Sequence, residues 1–446
     1  MKQLLIETIR IDGGTQSRAA IDEYLGVPFE EGVDSAKNKP YAYMRFQQRG
    51  HGRPWTDDFR EVVLEYGNET WHNGAGGYGW DGFGAPGAVH QGGAEYGLFA
   101  RYMFEEHVTK LPSWGRYRLG DKLKFALGAN YSSTTENGGS YGEAAVMHNH
   151  VTDYLGHANY VGPKWETNDN GRSTFDAHGL QATLLGMEAI QKLLTDSDEV
   201  RRKINGTLGQ HYRLEAYEGG PSGYWTNKGD AAEIDELYGK SMAMGVAALD
   251  TWLFSSLHGF SHQCYLGFGS GKWWSSHTMP EAGGFRAHPG WLALKLRNVF
   301  ARGREMLGVE LLRVPSIDHL KDKKVEHLPL VSAYAFKDSS SVSVAVLSRK
   351  YPGKHDGADF GSGYTPVNIR VPSLTKPRRI VLYKLAHRDG SPASPSENNR
   401  EAERIVIHSS EIPVSAYRNG LQINEETGGG REGIPPGTVY LYVFER

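Results

Sequence analysis

Residues 59–73 read FREVVLEYGNETWHN, and residues 211–225 read HYRLEAYEGGPSGYW. In each stretch an apolar run typical of a buried strand ends beside a glutamate, Glu69 in the first and Glu218 in the second. A carboxylate that directly follows an apolar parallel strand lies at the carboxyl edge of the sheet, where (β/α) proteins assemble their sites. The two stretches therefore predict strands of a parallel sheet with acidic side chains at one edge. A rim salt bridge would explain either glutamate alone, but two such motifs favour a chemical role.

The sequence around these stretches alternates between strand-like and helix-like patterns up to about residue 300. Further strands are predicted at Leu4–Ile11, Lys122–Tyr131, Val151–Val161 and Phe260–Phe268. Helices are predicted at Ser17–Leu25, Glu95–Val108, Ala177–Ile204, Ala231–Leu257 and Pro289–Arg302. Repeated strand, loop and helix patterns imply parallel pairing through helical crossovers, which a (β/α) barrel and a doubly wound sheet both satisfy. The sequence lacks a glycine-rich nucleotide-binding motif after a strand, which argues against a nucleotide-binding fold.

Beyond about residue 305 the pattern changes to short strands without long helices between them. The predicted strands are Leu307–Val314, Leu330–Phe336, Ser341–Arg349, Val367–Val371, Arg378–Leu385, Glu403–His408, Ser410–Val414 and Thr438–Phe444. Turn-rich segments separate them, as in antiparallel all-β domains. We therefore expect a (β/α) domain over residues 1–304 and a β-sandwich domain over residues 305–446.

The composition excludes several classes of protein. The 446 residues include 49 Lys and Arg and 52 Asp and Glu, a net charge of −3 without a basic tract, so we expect no nucleic-acid partner. No apolar run approaches the length of a membrane-spanning helix, so we expect no membrane partner. The only cysteine, Cys264, excludes an internal disulfide and a cysteine-rich zinc site. The 56 glycines occur with 50 aromatic residues, which fits long loops carrying aromatic rings for sugar binding, although an aromatic-rich core explains the rings as well.

The run EYGNETWHN, with its Asn68-Glu69 step, resembles the signature of clan A glycoside hydrolases. It is most similar to members that carry a β-sandwich after the barrel, such as α-L-arabinofuranosidases. The run EAYEGGPSGYW resembles the strand that carries the nucleophile in that clan. The resemblance implies a (β/α)8 barrel in which Glu69 ends strand 4 and Glu218 ends strand 7. Two predicted strands lie between the glutamates and one follows them, as this order requires.

The resemblance also implies roles for individual residues. Glu69 would be the acid/base and Glu218 the nucleophile, and Asn68 would form a hydrogen bond with the sugar 2-hydroxyl. Glu215 competes with Glu218, but three residues apart in a strand the two face opposite ways, and we favour Glu218 because it lies at the strand end. Other residues expected to contact substrate, with core packing as the alternative for the aromatic ones, are Trp71, His157, Tyr160, Tyr224, Trp225, Trp273 and Trp274.

The sequence thus predicts a retaining glycoside hydrolase that cleaves O-glycosidic bonds of a polysaccharide or oligosaccharide without a cofactor. Such an enzyme places its two carboxyl groups roughly 5–5.5 Å apart. A carbohydrate-binding protein on the same scaffold, without turnover, is the alternative from another class. A metal-dependent hydrolase is a third, because His148, His150 and Asp153 could face an ion, although we expect no metal there. The sugar, the linkage and the oligomeric state do not follow from the sequence.

Glu69 comes early for the end of a fourth barrel strand. Only Leu4–Ile11 precedes it as a good strand, and Tyr41–Gln47 is a marginal one. We therefore expect that the first two βα units are missing, which would leave an open barrel and could make the chain an inactive fragment. If residues precede Met1, a secreted or periplasmic location is favoured over a cytoplasmic one.

Overall fold

A computed structural model describes residues 4–6, 15–67, 93–128, 141–164, 174–221, 231–268, 275–279, 284–320 and 323–446. The described residues form two compact units. The first unit draws them from Met1–Ala158, Leu193–Tyr217 and His258–His262. The second unit draws them from Asn159–Lys192, Glu218–Leu257 and Gln263–Arg446. This grouping does not test the predicted domain boundary at residue 304, which stays a prediction.

Six strands form one sheet whose order follows the chain. They are β1 (Leu4–Ile6), β2 (Val62–Tyr66), β3 (Leu123–Gly128), β4 (Tyr154–Val161), β5 (Arg213–Pro221) and β6 (Phe260–Gln263). The pairs β1–β2, β2–β3 and β3–β4 are parallel. This order confirms the predicted alternation of strands and crossovers. A complete eight-stranded barrel is not shown by the described residues, so barrel closure and the missing βα units remain predictions.

Twelve α-helices occur in the described residues. They are α1 (Thr15–Ile21), α2 (Pro40–Arg49), α3 (Trp55–Asp58), α4 (Gly93–Met103), α5 (Pro112–Arg116), α6 (Leu119–Lys122), α7 (Tyr141–Asn149), α8 (Ala177–Leu184), α9 (Gly186–Leu208), α10 (Ala231–Gly239), α11 (Met242–Leu257) and α12 (Pro289–Lys295). Helices α1, α4 and α12 continue directly into single π-helical turns, Asp22–Gly26, Phe104–Val108 and Leu296–Phe300.

Two helix predictions and one strand prediction differ from the structure. The stretch Ala177–Ile204 is split between α8 and α9 at Leu185, and a Cβ on Gly186 would lie 2.6 Å from the Gly162 carbonyl oxygen. Ala231–Leu257 is split between α10 and α11, because Met242 and Ala243 donate their amides to carbonyls of another loop. The marginal strand Tyr41–Gln47 is wrong, since these residues lie in α2, which has Pro40 in its first turn.

Most of the antiparallel strands predicted for the C-terminal part are present in the second unit, but the prediction Leu307–Val314 is wrong after Leu307, which ends β7. A six-stranded sheet has the order β16-β15-β18-β11-β10-β7, and three two-stranded sheets are β12-β13, β14-β17 and β8-β9. The strands are β7 (Glu305–Leu307), β8 (Ser316–Leu320), β9 (Lys323–Pro329), β10 (Val331–Lys337), β11 (Ser341–Ser348), β12 (Lys354–His355), β13 (Ala358–Asp359), β14 (Asn368–Ile369), β15 (Arg379–Ala386), β16 (Val406–Ile412), β17 (Leu421–Gln422) and β18 (Val439–Glu445). Two short helical turns, Val414–Ala416 and Glu425–Thr427, complete this region. The predicted strands Glu403–His408 and Ser410–Val414 are one strand, β16, and the hairpin β8–β9 was missed.

The inner strands of the six-stranded antiparallel sheet are buried on both faces. Along β18, alternate residues such as Leu441 pack with α8, α11 and α12 in one apolar core. The residues between them, such as Tyr442, pack with Ile369 and Leu421 of the β14–β17 pair in a second core. Alternation of this kind follows from the two-residue repeat of a strand. In the described part of the chain no helix has the length and hydropathy needed to cross a membrane.

Candidate functional site

Three predicted site residues, His157, Tyr160 and Glu218, are described by the structure, and they lie on β4 and β5. The others lie outside the described residues, and their roles stay predictions: Asn68, Glu69, Trp71, Tyr224, Trp225, Trp273 and Trp274.

Glu218 lies near the carboxyl end of β5, where the strand packs closely against its neighbours. It is half-buried. A Cβ on Gly219 would lie only 2.7 Å from the carbonyl oxygen of Asn159 on β4. The Gly219 carbonyl accepts a 2.8 Å hydrogen bond from the amide of Leu266, just after β6. Gly220 has φ of +136°, which favours glycine. The glycines after Glu218 therefore let the ends of β4, β5 and the segment after β6 approach one another.

Glu215, the competing carboxyl group on β5, has different surroundings. The Glu215 side chain is only 1% exposed. Its Oε1 atom lies close to Gly156 of β4, 3.5 Å from where a Cβ atom on that glycine would be. Burial, with a smaller contribution from the negative charge of Glu61 and against the opposing effect of Arg213, raises the pKa of Glu215 to about 8. At neutral pH this carboxyl group is therefore mainly protonated.

His157 and Tyr160 lie on the same strand but differ in exposure. His157 is 5% exposed, and its ring meets the Phe260 ring of β6 edge-on at 6.4 Å. Tyr160 is half-buried. Between them along β4, Asn159 is fully buried and donates from Nδ2 to Ser255 Oγ of α11 at 3.3 Å. Sequence reasoning missed Asn159, although a buried polar residue in an apolar strand is a recognisable signal.

Aromatic residues that sequence reasoning did not single out follow β6. The Tyr265 ring lies 6.2 Å from Trp252 and meets Trp291 edge-on at 6.1 Å. Phe268 and Phe285 stack at 5.7 Å, with 56% and 58% of their surfaces exposed. The signal that pointed to Trp273 and Trp274, an aromatic residue shortly after the last parallel strand, also applies to Tyr265 and Phe268.

The carboxyl ends of β2 and β3, in the first unit, are joined by one side chain. The hydroxyl of Tyr96 on α4 donates to the carbonyl of Tyr66, the last residue of β2. The same hydroxyl accepts a 3.2 Å hydrogen bond from the amide of Gly128, the last residue of β3. Tyr96 is fully buried, so this contact is shielded from water.

The histidine pattern considered for a metal does not lie on a strand. His148 belongs to α7, and its Nδ1 atom lies 2.9 Å from the carbonyl of Ala144 one turn earlier. Asp153 instead links two strands, since its carboxylate accepts a 2.8 Å hydrogen bond from the Phe125 amide. Among the described residues, no group of three or more His, Cys, Asp or Glu side chains is arranged to hold a metal ion.

Comparison with known proteins gives matches only among solved structures. No protein-family model and no curated protein matches the sequence. The α-L-arabinofuranosidase from Thermotoga maritima, in its arabinose complex, is 14% identical, with a TM-score of 0.61 over 98% of this chain and 75% of that one. The GH51 arabinofuranosidase from Xanthomonas axonopodis pv. citri is 15% identical, with a TM-score of 0.58 over 97% and 73%.

A xyloglucanase of family GH44 from Paenibacillus polymyxa is also similar, with 8% identity and a TM-score of 0.51 over 94% of this chain and 73% of that one. At such identities the similarities establish the fold. They confirm, at the level of fold, the resemblance to barrel-plus-sandwich glycoside hydrolases that the sequence motifs indicated.

Proposed function

We propose that this protein is a retaining glycoside hydrolase in which Glu69 is the acid/base and Glu218 the nucleophile. The observation that carries the proposal is the position of Glu218: half-buried, near the carboxyl end of a strand in a sheet whose order follows the chain and whose first four strands pair in parallel. Carboxyl ends of such strands are where the catalytic residues of (β/α) enzymes lie. The similarity of nearly the whole chain to solved glycoside hydrolases supports the same reaction class.

The surroundings of the two β5 carboxyl groups favour Glu218 over Glu215. A nucleophilic carboxylate must be ionised and must reach the substrate. Glu215 is 1% exposed and its pKa is raised to about 8, so it meets neither condition at neutral pH. Glu218 retains exposed surface.

The proposed reaction has two steps and requires no cofactor. Glu69 donates its proton to the glycosidic oxygen while the Glu218 carboxylate attacks the anomeric carbon, which forms a glycosyl ester and releases the leaving group as an alcohol. Glu69, now ionised, takes a proton from water, and the hydroxide attacks the same carbon and frees Glu218. Two inversions give net retention.

The substrate class in the proposal is an oligosaccharide or polysaccharide. The similar structures come from enzymes named for arabinofuranosides and xyloglucan, so these are the first substrates to test. Exposed rings such as Phe268 and Phe285 suit the flat C–H faces of sugars.

The test is hydrolysis of a panel of aryl α-L-arabinofuranosides, aryl β-glucosides, arabinan and xyloglucan, with NMR detection of the first anomer released. We expect hydrolysis with retention. Glu218→Gln should lower the rate by roughly 10³-fold or more, because the nucleophile is lost. Glu69→Gln should lower it by about 10²–10⁴-fold for substrates with poor leaving groups. Glu215→Gln is the matched control and should stay within a few-fold of the unmodified chain.

Each contrary result has a distinct meaning. Binding of these glycans without hydrolysis of any would replace the enzyme with a carbohydrate-binding protein. Hydrolysis that survives in Glu218→Gln but not in Glu215→Gln would move the nucleophile to Glu215.

A further inference from the structure

We propose that Tyr96 is a positioning residue that fixes the chain leading to Glu69, an inference that rests on the proposed function. Tyr66, which ends β2, lies three residues before Glu69 in the sequence. The Tyr96 hydroxyl donates to the carbonyl of this residue and accepts from the amide of Gly128 on the neighbouring strand. One buried hydroxyl thus joins the carboxyl ends of two adjacent strands.

The two backbone groups lie where the parallel ladder ends. Tyr66 is opposite Leu127 in the register of β2 and β3, and Gly128 follows as the last residue of β3. The hydroxyl of Tyr96 on α4 contacts both backbone groups at this edge of the sheet and so ties the ends of the two strands together.

The Tyr96 ring is itself held firmly. It stacks on the rings of Tyr66 at 6.2 Å and Tyr141 at 5.7 Å. Gly97, its neighbour in α4, is so close to the backbone of α7 that a Cβ there would overlap a carbonyl oxygen. Asn149 of α7 donates from Nδ2 to the Gly97 carbonyl at 3.0 Å. Helix packing therefore fixes the hydroxyl, and the hydroxyl fixes the strand end.

The consequence concerns protonation of the leaving group. A catalytic group displaced by about 1 Å can lose as much as 10²-fold in rate. Glu69 acts as an acid only when the departing oxygen needs a proton, since a dinitrophenolate leaves readily without one. Loss of the Tyr96 hydroxyl should therefore slow cleavage of poor leaving groups selectively, whereas a general loss of folding would slow all substrates equally.

The experiment compares kcat/KM for two aryl glycosides of the sugar that the unmodified chain cleaves, one with a dinitrophenyl and one with an unsubstituted phenyl leaving group. Tyr96→Phe keeps the ring and removes the hydroxyl. We expect about a tenfold loss with the phenyl glycoside and at most about a twofold loss with the dinitrophenyl glycoside. Tyr417→Phe is the matched control, because the Tyr417 hydroxyl also contacts an amide and a carbonyl, both of Val371 in the antiparallel region. It should change neither value.

Equal losses with both leaving groups, or no loss, would overturn the inference while the proposed function stands. Absence of hydrolysis by the unmodified chain would overturn the proposed function and this inference with it. If Tyr96→Phe fails to fold, 3,5-difluorotyrosine in place of Tyr96 keeps the ring and the hydroxyl, strengthens its donation to the Tyr66 carbonyl and weakens its acceptance from the Gly128 amide. The ratio of the two kcat/KM values should then change, and an unchanged ratio would overturn the inference.

Discussion

The two compact units bury carboxyl groups in opposite ways. In the first unit Glu215 is 1% exposed, and among the described residues its Oε1 atom has no hydrogen-bond partner. In the second unit Asp250 is fully buried, but it accepts hydrogen bonds from Arg349 at 3.1 Å and from Ser332 and Tyr334 at 2.7 Å. Burial of a charge costs free energy in both places. The second unit offsets the cost by pairing, and the first avoids it because Glu215 keeps its proton.

Buried polar groups thus have two roles in this protein: some join strands to helices, and others lie within the strands of the parallel sheet. A network that ties strands to helices, as Arg349 does through Asp250 of α11 and Glu188 of α9, belongs to the architecture of the second unit. The interior of the parallel sheet instead holds polar residues within its strands, among them Glu65, His157 and Glu215, all 5% exposed or less. A buried titratable group with a shifted pKa is a common feature of functional sites, although structural sites share it.

Removal of Arg349 tests whether Asp250 is stabilised by its partners, and it should lower the free energy of unfolding more than any other variant considered below. Arg349→Ala leaves Asp250 and Glu188 buried without their shared cation, since Arg349 contacts the two at 3.1 and 2.8 Å. We expect the free energy of unfolding to fall by about 3–5 kcal/mol, measured by urea denaturation. The control is Arg379→Ala, because Arg379 is half-exposed in its ion pair with Glu411 and its removal should cost far less than the removal of Arg349. Equal losses in the two variants would contradict the structural role of the buried network.

Glu215→Gln tests whether Glu215 keeps its proton in the folded chain. The folded-state pKa of Glu215 is about 8, above the usual value of about 4.3, so the folded chain keeps a proton that the unfolded chain releases. The stability of the unmodified chain should therefore fall as pH rises from about 4.5 to 8 and level off above that. Gln has no proton to release, so the variant should gain up to a few kcal/mol over the unmodified chain at pH 8–9 and nothing at pH 4.5.

The measurement is the urea midpoint of both chains across this pH range. Glu326→Gln is the control, because Glu326 is an exposed glutamate on β9. Its midpoint difference from the unmodified chain should stay flat. A flat difference for Glu215→Gln as well would mean that Glu215 is ionised in the folded protein.

The strands that position the site could be predicted because their signal is local. Val62–Tyr66 and Arg213–Pro221 coincide with apolar runs, and the glutamate near the end of the second run is part of the same motif. Elements whose ends depend on tertiary contacts could not be predicted from the sequence. The break at Leu185 depends on a glycine that packs against the Gly162 carbonyl, a contact distant in sequence. The hairpin Ser316–Pro329 was missed because charged residues obscure its alternation.

The site itself was predictable only where chemistry follows directly from residue type. Glu218 could be identified from its motif, whereas the hydroxyl of Tyr96 bridges two strands that are separated by a long stretch of sequence. Tyr96 lies in a helix with other aromatic residues, and nothing in that pattern distinguishes a bridging hydroxyl from a packed ring. The buried pairing of Asp250 with Arg349 is invisible for the same reason, because 99 residues separate the partners.

Tyr334→Phe removes only one hydrogen-bonding hydroxyl from Asp250, so it should change the free energy of unfolding least of the three variants. It removes a single donor from Asp250 and leaves the bond from Arg349 in place. A hydrogen bond to a charged acceptor contributes about 1.5–3 kcal/mol, against about 0.5–1.5 kcal/mol for a neutral acceptor. Tyr334→Phe should therefore cost about 2 kcal/mol in urea denaturation. Tyr417→Phe, whose hydroxyl contacts only neutral backbone groups of Val371 among its described partners, should cost about 1 kcal/mol.

The double variant Arg349→Ala with Tyr334→Phe makes the same comparison through coupling. Because Arg349 and Tyr334 contact the same carboxyl group, the two losses should not add. Additive losses, together with equal costs for Tyr334→Phe and Tyr417→Phe, would mean that the hydrogen bonds to Asp250 contribute no more than ordinary neutral ones. The contrast between the paired Asp250 and the unpaired Oε1 atom of Glu215 would then carry no energetic consequence.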